Sequence, residues 1–239
     1  MKKAIIIGAS SGIGSEMAKL LSENKIYLGL TARRVELLEE LKSQLPFNST
    51  VKYMDINDCE ETKIQLESLI AEMNGVDLIL ISSGIGHSNN KLNWNLELET
   101  INTNVIGVTS LICTAMNYFL SEGKGHLAVI SSVASLRGSS ECPAYNASKS
   151  FLSNYLEGMQ CKAKKSGSNV HVTDIKPGFV DTAMAQGDGL FWVMPVSVVA
   201  RQIYKAIKSK KKSVYITKRW GIFAFILKRL PKAVYIKWF

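Results

Sequence analysis

Short apolar runs alternate with amphipathic stretches along most of this chain. The apolar runs have the length and low charge of buried β-strands, and we predict strands at residues 4–7, 26–32, 51–54, 76–81, 126–130, 169–175 and 214–217. The stretches between them place apolar residues at helical spacing, and we predict helices at residues 15–24, 35–45, 59–73, 96–120, 144–165 and 195–208. Strands and helices that alternate in this way predict an α/β fold, a doubly wound parallel sheet between two layers of helices.

A glycine-rich turn follows the first predicted strand directly. Gly8, Gly12 and Gly14 stand between that strand and the first helix. Glycine lets the backbone turn tightly and approach a pyrophosphate, whose charge then lies at the helix N-terminus. Such turns are also common without a ligand, so the glycines matter here because of the strand and the helix on either side.

The second predicted strand ends at two arginines, Arg33 and Arg34. In dinucleotide-binding folds an acidic residue at this place accepts from the 2′-hydroxyl of the adenosine ribose, whereas arginine accommodates the 2′-phosphate of NADP. Residues 31–33 include no Asp or Glu, which favours NADP over NAD. The alternative is that the two arginines only solvate the start of a helix.

Ligands of open α/β sheets bind at the carboxyl ends of the strands. The glycine turn, Arg33, Asp55 after the third strand and the loop 82–86 after the fourth strand would all line that edge. The long helix 96–120 also contains Asn104 and Gly107, which lower helix propensity and therefore need a reason such as a kink, a close contact or a site.

Tyr145 and Lys149 lie four residues apart in a stretch of helical periodicity, so both side chains can point into the same space. A fixed cation nearby favours the phenolate and lowers the pKa of the phenol, which makes it useful as a general acid or base. The alternative is two ordinary surface residues of an amphipathic helix. Ser131 and Ser132, which close the fifth strand, are likewise either a turn or part of a site.

In their order along the chain, these residues resemble the short-chain dehydrogenase/reductase family over residues 3–217. The step of thirteen residues from Ser132 to Tyr145 strengthens the resemblance. The residues that carry it are Gly8, Gly12, Gly14, Asp55, Gly84, Asn104, Ser132, Tyr145, Lys149, Pro177 and Gly178. The resemblance implies a Rossmann-like single domain of three α/β/α layers, a nicotinamide cofactor and hydride transfer between an alcohol and a carbonyl.

The resemblance also implies a catalytic set. Tyr145 would be the acid/base, and Lys149 would hold the nicotinamide ribose and lower the pKa of the phenol. Ser132 would hydrogen-bond the substrate oxygen, because its step to Tyr145 favours it over Ser131. Asn104 would hold a water that links Lys149 to solvent.

The cofactor residues follow from the same resemblance, with Asp55 and Ile56 at the adenine edge and Thr182 at the nicotinamide carboxamide. The full predicted cofactor set is Gly8, Ser10, Ser11, Gly12, Ile13, Gly14, Arg33, Arg34, Asp55, Ile56, Ser83, Gly84, Tyr145, Lys149, Pro177, Gly178, Val180 and Thr182. No metal is expected. Two positions depart from the family pattern: residues 81–84 are Ile-Ser-Ser-Gly instead of Asn-Asn-Ala-Gly, and Ile7 replaces the threonine before the first glycine.

The segment 183–194 would set substrate specificity, and it ends in the apolar run 190–194. This run suggests a hydrophobic lid, although it could simply pack on the core. We therefore expect an NADPH-dependent reductase of a lipophilic ketone or 3-oxoacyl-type substrate. The alternative is a non-catalytic dinucleotide-binding regulator or scaffold on the same fold.

Charge is distributed unevenly along the chain. Of the 29 Lys and Arg residues, 12 lie in residues 189–239, which contain none of the 20 acidic residues, so the first 188 residues carry a net charge of −3. This asymmetry argues against a nucleic-acid-binding domain and for a separate role of the C-terminus. We divide the chain into a Rossmann-fold domain, residues 1–217, and a basic, aromatic tail, residues 218–239.

The tail has an uncharged run at 220–227, far shorter than the ~20 residues of a membrane span. Aromatic and aliphatic residues flanked by Lys and Arg favour a segment lying on an anionic membrane surface, and the alternative is an arm that contacts another subunit. The family pairs through helices that correspond here to 96–120 and 144–165, which implies a homodimer or homotetramer.

Four cysteines, Cys59, Cys113, Cys142 and Cys161, show no CxxC spacing. We expect them to be small buried residues of a reduced compartment, with neither a disulfide set nor a zinc site. Met1-Lys2-Lys3 and the following apolar run superficially resemble a signal peptide, but the run ends too early, at Gly8. A cytoplasmic protein, peripheral on the inner face of the membrane, is the expectation.

Overall fold

The computed structural model describes residues 1–184 and 191–238. Seven parallel strands form one sheet in the order β3-β2-β1-β4-β5-β6-β7. The strands are β1 (Lys3–Ile7), β2 (Tyr27–Ala32), β3 (Ser49–Tyr53), β4 (Leu78–Ile81), β5 (Lys124–Ile130), β6 (Asn169–Pro177) and β7 (Ser213–Ile216). The predicted α/β class with a doubly wound parallel sheet is confirmed.

Helices cover both faces of this sheet. They are α1 (Gly12–Glu23), α2 (Val35–Ser43), α3 (Cys59–Glu72), α4 (Trp94–Ile101), a π-helical segment (Asn102–Gly107), α5 (Val108–Ser121), a 3₁₀ turn (Val133–Leu136), α6 (Pro143–Lys165), α7 (Val196–Lys208), α8 (Lys218–Arg229) and α9 (Lys232–Trp238). Four helix starts differ from the prediction, two of them slightly, since α4 begins at Trp94 and α6 at Pro143. Helix α1 begins at Gly12, so that Gly12 and Gly14 lie in its first turn, and Pro195 is the N-cap of α7 instead of its first residue.

Strand β1 shows how the sequence divides the core into two layers. Ile5 and Ile7 belong to the cluster beneath α3, α5 and α6, whereas Ala4 and Ile6 belong to the cluster beneath α1, α2 and α7. Successive side chains of a strand point to opposite faces, so a strand covered on both sides is apolar at most of its positions. This burial explains the continuous apolar runs in the sequence.

The strand order reverses at β1, which pairs with β2 on one side and β4 on the other. The registers align the carboxyl ends, with Ile7 opposite both Thr31 and Ile81, and Ile130 opposite Ile175. The loops that follow these strands therefore meet at one edge, the place where open α/β sheets bind ligands.

The helical stretch Trp94–Ser121 is long and apolar enough, by length and composition alone, to cross a membrane. Its most apolar window is 56% buried inside the protein, where α5 packs on the sheet and on α3. Burial of this extent is typical of a core helix.

The prediction of buried cysteines is wrong for this fold. Cys113 and Cys161 are exposed, and Cys59 and Cys142 are half-buried. All four are free thiols. Cys113 lies on the solvent side of α5, where its Sγ is 3.2 Å from the hydroxyl of Tyr155. Within the described residues, no three His, Cys, Asp or Glu side chains form a group that could hold a metal ion.

Helix α8 packs against the end of β6 through Trp220, which is only 2% exposed. A Cβ atom at Gly178 would lie 1.9 Å from the indole ring, so glycine is required for this contact. Trp220 belongs to an aromatic cluster with ring centroids 5.3–6.5 Å apart, whose members are Phe179, Phe191, Trp192, Trp220 and Phe223. Near the C-terminal end of α8, Arg137 Nε donates to the carbonyl of Leu227 over 3.0 Å.

The contact between Gly178 and Trp220 predicts a specific non-additivity. Gly178→Ala should destabilise the fold by about 1–3 kcal/mol through overpacking, and Trp220→Ala by about 3–5 kcal/mol through the cavity it leaves. Because the truncated tryptophan leaves room for the new methyl group, the double variant should cost clearly less than the sum. Urea unfolding followed by circular dichroism measures this cycle.

Gly158→Ala is the matched control, since a Cβ there has no neighbour within 4 Å. Strictly additive costs for Gly178→Ala and Trp220→Ala would contradict the direct contact.

Candidate active site

Tyr145 and Lys149 lie in the first two turns of α6, which starts with Pro143 at its favoured position. The Tyr145 hydroxyl is hydrogen-bonded to the side chain of Ser132 at the end of β5. The Lys149 Nζ lies 5.6 Å from the centroid of the Tyr145 ring and donates to the carbonyl of Ile130 over 3.2 Å. The structure therefore brings three of the four predicted catalytic residues together at the carboxyl edge of the sheet.

Burial dominates the electrostatics of this group. It raises the pKa of Tyr145, opposed by the hydrogen bond with Ser132. Burial also lowers the pKa of Lys149 to about 8. The net direction of the shift at Tyr145 is opposite to the expected one, because burial outweighs the hydrogen bond that lowers the pKa of the phenol. At neutral pH the pair thus consists of a protonated phenol, able to donate a proton, and a cationic lysine.

Asn104 lies in the π-helical segment between α4 and α5 and is almost completely buried. Its Oδ1 accepts from the Ile85 N–H over 2.9 Å, and its Nδ2 donates to the Ile85 carbonyl over 2.7 Å and to Ser148 Oγ over 3.0 Å. Ser148 Oγ in turn donates to the carbonyl of Tyr145 over 2.7 Å. Asn104 therefore connects the loop after β4 to the helix that carries Tyr145, and both of its amide hydrogens are used in doing so.

Close packing explains why a glycine stands at position 107 of this helical segment. A Cβ atom there would lie 2.3 Å from the carbonyl oxygen of Ile56. Ile56 itself is buried, and Asp55 is half-buried with its Oδ1 accepting from the Asn57 N–H over 3.1 Å. The π-helical segment thus lies directly against the predicted adenine-edge residues.

The loop after β4 approaches the catalytic side chains with its backbone. A Cβ at Gly84 would lie 3.2 Å from both Asn104 Oδ1 and Lys149 Nζ, and one at Gly86 would lie 2.8 Å from the Tyr145 ring. Sequence reasoning placed Gly86 in the loop that lines this edge but gave it no role, and it missed Ser148. Two glycines after a buried strand were the available signal for Gly86, whereas nothing in the sequence distinguishes Ser148.

The two serines that close β5 point in different directions. Ser131 Oγ donates to the carboxylate of Asp174 and to the carbonyl of Ile175, so its side chain is hydrogen-bonded inside the sheet. Ser132 Oγ accepts from the Ala134 N–H over 3.1 Å and is hydrogen-bonded to Tyr145. Of the two, only Ser132 lies where a substrate oxygen could meet the phenol.

The glycine turn is closely packed. Gly8 has φ +86°, and a Cβ there would lie 2.6 Å from Ser83 Oγ, while a Cβ at Gly14 would lie 2.1 Å from the Gly8 carbonyl. The N–H groups of Gly8 and Ala9 both donate to the carbonyl of Thr31, over 2.9 and 3.0 Å. These backbone bonds hold the turn without the threonine that Ile7 replaces.

The predicted anion site combines the start of α1 with the end of β2. Ser11, the N-cap of α1, makes no side-chain capping bond to the helix. Instead Ser10 Oγ and Ser11 Oγ each accept from Arg34 Nη2 over 3.0 Å, whereas Arg33 is exposed beside them. A helix N-terminus of this kind, with an arginine beside it, suits a phosphate group. Ile13, also in the predicted cofactor set, lies in the first turn of α1.

The residues after β6 close the opposite side of the cleft. The carbonyl oxygen of Pro177 lies 3.5 Å from Ser132 Oγ. Thr182 faces the glycine turn, since a Cβ atom added at Gly12 would lie 3.3 Å from Thr182 Cγ2. Val180 pairs with Met194 in a single bridge. Of the predicted lid, Leu190 lies outside the described residues, while Phe191, Trp192 and Val193 remain partly exposed within or beside the aromatic cluster.

Comparison with known proteins identifies the family. Residues 2–189 match the family model described as short chain dehydrogenase. The chain belongs to the short-chain dehydrogenase family. An uncharacterized oxidoreductase of Myxococcus xanthus is 31% identical over 188 residues, which cover 77% of this chain and 74% of that protein.

Solved structures of other proteins share the fold. An alcohol dehydrogenase from the archaeon Thermococcus sibiricus, complexed with 5-hydroxy-NADP, has a TM-score of 0.80 at 23% identity, covering 90% of this chain and 96% of the other. A short-chain dehydrogenase/reductase from Burkholderia phymatum, in complex with NAD, has a TM-score of 0.85 at 18% identity, covering 94% and 92%. The family match ends at residue 189, so it does not extend to α8 and α9.

The buried ammonium of this short-chain dehydrogenase predicts a stability cost with a defined pH window. The folded pKa of Lys149, about 8, lies below its ordinary value of 10.5. The cost is therefore fully present below pH 8 and disappears as pH rises toward 10.5. Lys149→Met should stabilise the fold by about 3 kcal/mol at pH 7, since methionine fills the space without a charge.

Urea unfolding of both proteins from pH 7 to pH 10.5 tests this, and the difference in the free energy of unfolding should shrink steadily toward zero. A methionine variant that is less stable at pH 7, or a difference independent of pH, would contradict the assignment of Lys149 as a desolvated cation.

Proposed function

We propose that this protein is an NADP-dependent oxidoreductase that interconverts a carbonyl and a secondary alcohol, working mainly as a reductase. One observation carries the proposal: the hydrogen-bonded Ser132–Tyr145 pair lies beside a buried Lys149, at the sheet edge that also carries the glycine turn. The family to which the chain belongs supports the reaction class.

The chain's own residues fit a nicotinamide dinucleotide. The closely packed glycines at 8, 12 and 14 leave the backbone open to a pyrophosphate, and the α1 N-terminus has no side-chain cap. Arg33 and Arg34 stand where the 2′-phosphate of NADP would lie, and Asp55 and Ile56 stand where an adenine would. The cofactor, when bound, supplies the hydride.

The proton comes from the protein. Ser132 and Tyr145 would both hydrogen-bond the carbonyl oxygen of the substrate, and Tyr145 would protonate that oxygen as negative charge develops on it. Because burial raises its pKa, the phenol is protonated at neutral pH and carries the proton that would be transferred. Lys149 would stabilise the phenolate that remains, since its ammonium is 5.6 Å from the ring centroid.

We assign to Asn104 the ordering of a water between Lys149 and solvent, through which the phenol would regain its proton. The support is placement: Asn104 Oδ1 and Lys149 Nζ both approach Gly84. Thr182, opposite Gly12, is assigned to the nicotinamide carboxamide, with Pro177, Gly178 and Val180 forming the wall behind it.

The substrate we propose is a lipophilic ketone or 3-oxoacyl-type compound. Phe191, Trp192 and Val193 remain 43%, 45% and 38% exposed beside the loop that follows β6. An apolar surface of this kind beside the cleft favours an apolar substrate body.

The assembly we propose is a homodimer or homotetramer in the cytoplasm. Ile106 and Phe151 expose about half of their side chains on the outer faces of the π-helical segment and α6, and such apolar patches mark interfaces. Two exposed free thiols, Cys113 and Cys161, suit a reducing compartment. A single-chain mass by light scattering would contradict the assembly.

The catalytic assignment predicts a large effect of one hydroxyl. Tyr145→Phe should lower kcat for carbonyl reduction by a factor of about 10²–10⁴, because the proton donor is lost, whereas NADPH should still bind through the rest of the predicted cofactor set. NADPH oxidation measured at about 340 nm over a panel of carbonyl compounds gives the rate, and fluorescence titration gives the binding.

Tyr155→Phe in the same helix is the matched control, since its hydroxyl contacts Cys113 and not the cleft. Equal rates for wild type and Tyr145→Phe would contradict the enzyme and support a non-catalytic dinucleotide-binding regulator or scaffold.

The cofactor assignment predicts a change of preference. Arg33→Asp should lower the ratio of kcat/KM for NADPH to that for NADH by about tenfold to a hundredfold, since a charge-assisted bond to phosphate is replaced by repulsion. Arg201→Asp, on the exposed side of α7, is the control with the same charge change. An unchanged ratio in the Arg33 variant would refute the NADP preference.

A further inference from the structure

Helix α8 is apolar on both of its sides. Trp220, Ala224 and Leu227 are buried against the body of the protein. Two residues on from Trp220, Ile222 is 65% exposed, and Phe225 and Ile226 are 57% and 55% exposed. A helix on the surface of a water-soluble protein normally turns charged or polar residues outward. The outward residues of α8 are therefore suited to a second apolar environment.

Helix α9 also exposes apolar residues, and contacts with the body of the protein fix its position. Val234 and Ile236 are exposed, whereas the Tyr235 hydroxyl donates to the carbonyl of Gly138, and the Arg137 guanidinium lies 5.3 Å from the Tyr235 ring centroid. We call Ile222, Phe225, Ile226, Val234 and Ile236 the tail patch. Its members are presented on helices that the body of the protein already fixes, so their exposure does not come from an unfolded end.

Cations accompany the tail patch without any carboxylate. The exposed side chains of Arg219, Lys228, Arg229, Lys232 and Lys237 all lie in α8 and α9, and residues 189–239 contain no Asp or Glu. Among the described residues 219–237, no cation forms an ion pair with a carboxylate. Arg229 instead lies with its guanidinium 3.6 Å from the centroid of the Phe225 ring. Exposed apolar side chains and positive charge thus occur together on α8 and α9, and they are in direct contact at Phe225 and Arg229.

Two occupants could cover an apolar surface of this kind, a second copy of the chain or a lipid bilayer. In a two-fold interface the same patch meets itself, so the five cations would face their own copies with no carboxylate in the segment to neutralise them. An anionic bilayer offers an apolar layer beneath negatively charged headgroups, which complements both properties. The positive charge of α8 and α9 therefore favours a lipid bilayer over a second copy of the chain.

We propose that the tail patch and its five cations form an interfacial binding site for an anionic lipid surface. The aromatic and aliphatic side chains enter the boundary between headgroups and acyl chains, and the cations contact the headgroup phosphates. This site lies outside the residues matched by the family model, which end at 189, and it does not depend on the proposed reaction.

The same helices touch both loops that border the candidate active site. Trp220 lies against Gly178 after β6, and the carbonyl of Leu227 accepts from Arg137 after β5. A protein bound through the tail patch would hold these loops close to the lipid surface, where a lipophilic substrate is concentrated. Only this last consequence rests on the proposed function.

Sedimentation of the full-length protein with vesicles tests the site, using phosphatidylcholine vesicles with and without phosphatidylglycerol, at low and high salt. We expect binding only to the vesicles that contain phosphatidylglycerol, and release by salt. The variant Arg229→Gln/Lys232→Gln/Lys237→Gln should bind about a hundredfold more weakly, since each cation contributes about fivefold. The variant Ile222→Ser/Phe225→Ser/Ile226→Ser should also lose binding, although its charge is unchanged.

The control Lys19→Gln/Lys63→Gln/Lys91→Gln removes the same charge from exposed lysines elsewhere, and its affinity should remain close to that of wild type. Unchanged melting temperatures and NADPH binding would show that the tail variants fold. Four outcomes would overturn the proposal: no binding to either vesicle, equal binding to both, an equal loss in the control, or a fall in oligomer mass in the serine variant that accounts for the exposed patch.

Discussion

The ammonium group of Lys149 lies in a space that is almost closed to water. Much of the surrounding structure is packed so that this space can exist. Only 5% of the residue is exposed, and the described hydrogen bond of its Nζ goes to the Ile130 carbonyl at the end of β5. Desolvation lowers the pKa of the lysine to about 8 and raises that of Tyr145. Both shifts favour the neutral forms, so the pair carries a single charge at neutral pH. A cation kept in such a place destabilises the fold, which is expected of a site built for chemistry.

Close backbone approach makes this dry space possible. Gly84 and Gly86 bring the loop after β4 against Lys149 and the Tyr145 ring, and Gly107 brings the π-helical segment against Ile56. Asn104 fixes that loop to the helix below it through three hydrogen bonds. The π-helical segment in the long helix therefore joins the loop after β3 to the loop after β4 and to α6.

The C-terminal helices also pack closely, here on the loops after β5 and β6. Trp220 occupies the space that a side chain at position 178 would need, and Arg137 binds the carbonyl at Leu227. Residues 218–238 are thus attached to both loops beside the cleft, while their outward side chains remain apolar and cationic. Helix α8 can contact two apolar environments because different residues form its inner and outer faces.

Local patterns in the sequence predicted much of the fold and part of the candidate site. Continuous apolar runs predicted the parallel sheet, because a strand covered on both faces is apolar at most of its positions, and the spacing of Tyr145 and Lys149 placed them on one helix face. The sequence could not predict the direction of the phenol's pKa shift, the exposure of Cys113 and Cys161, the roles of Gly86 and Ser148, or the burial of Trp220 against Gly178. These depend on contacts between residues far apart in the chain, and desolvation and packing are properties of the assembled neighbourhood, which no single stretch of sequence contains.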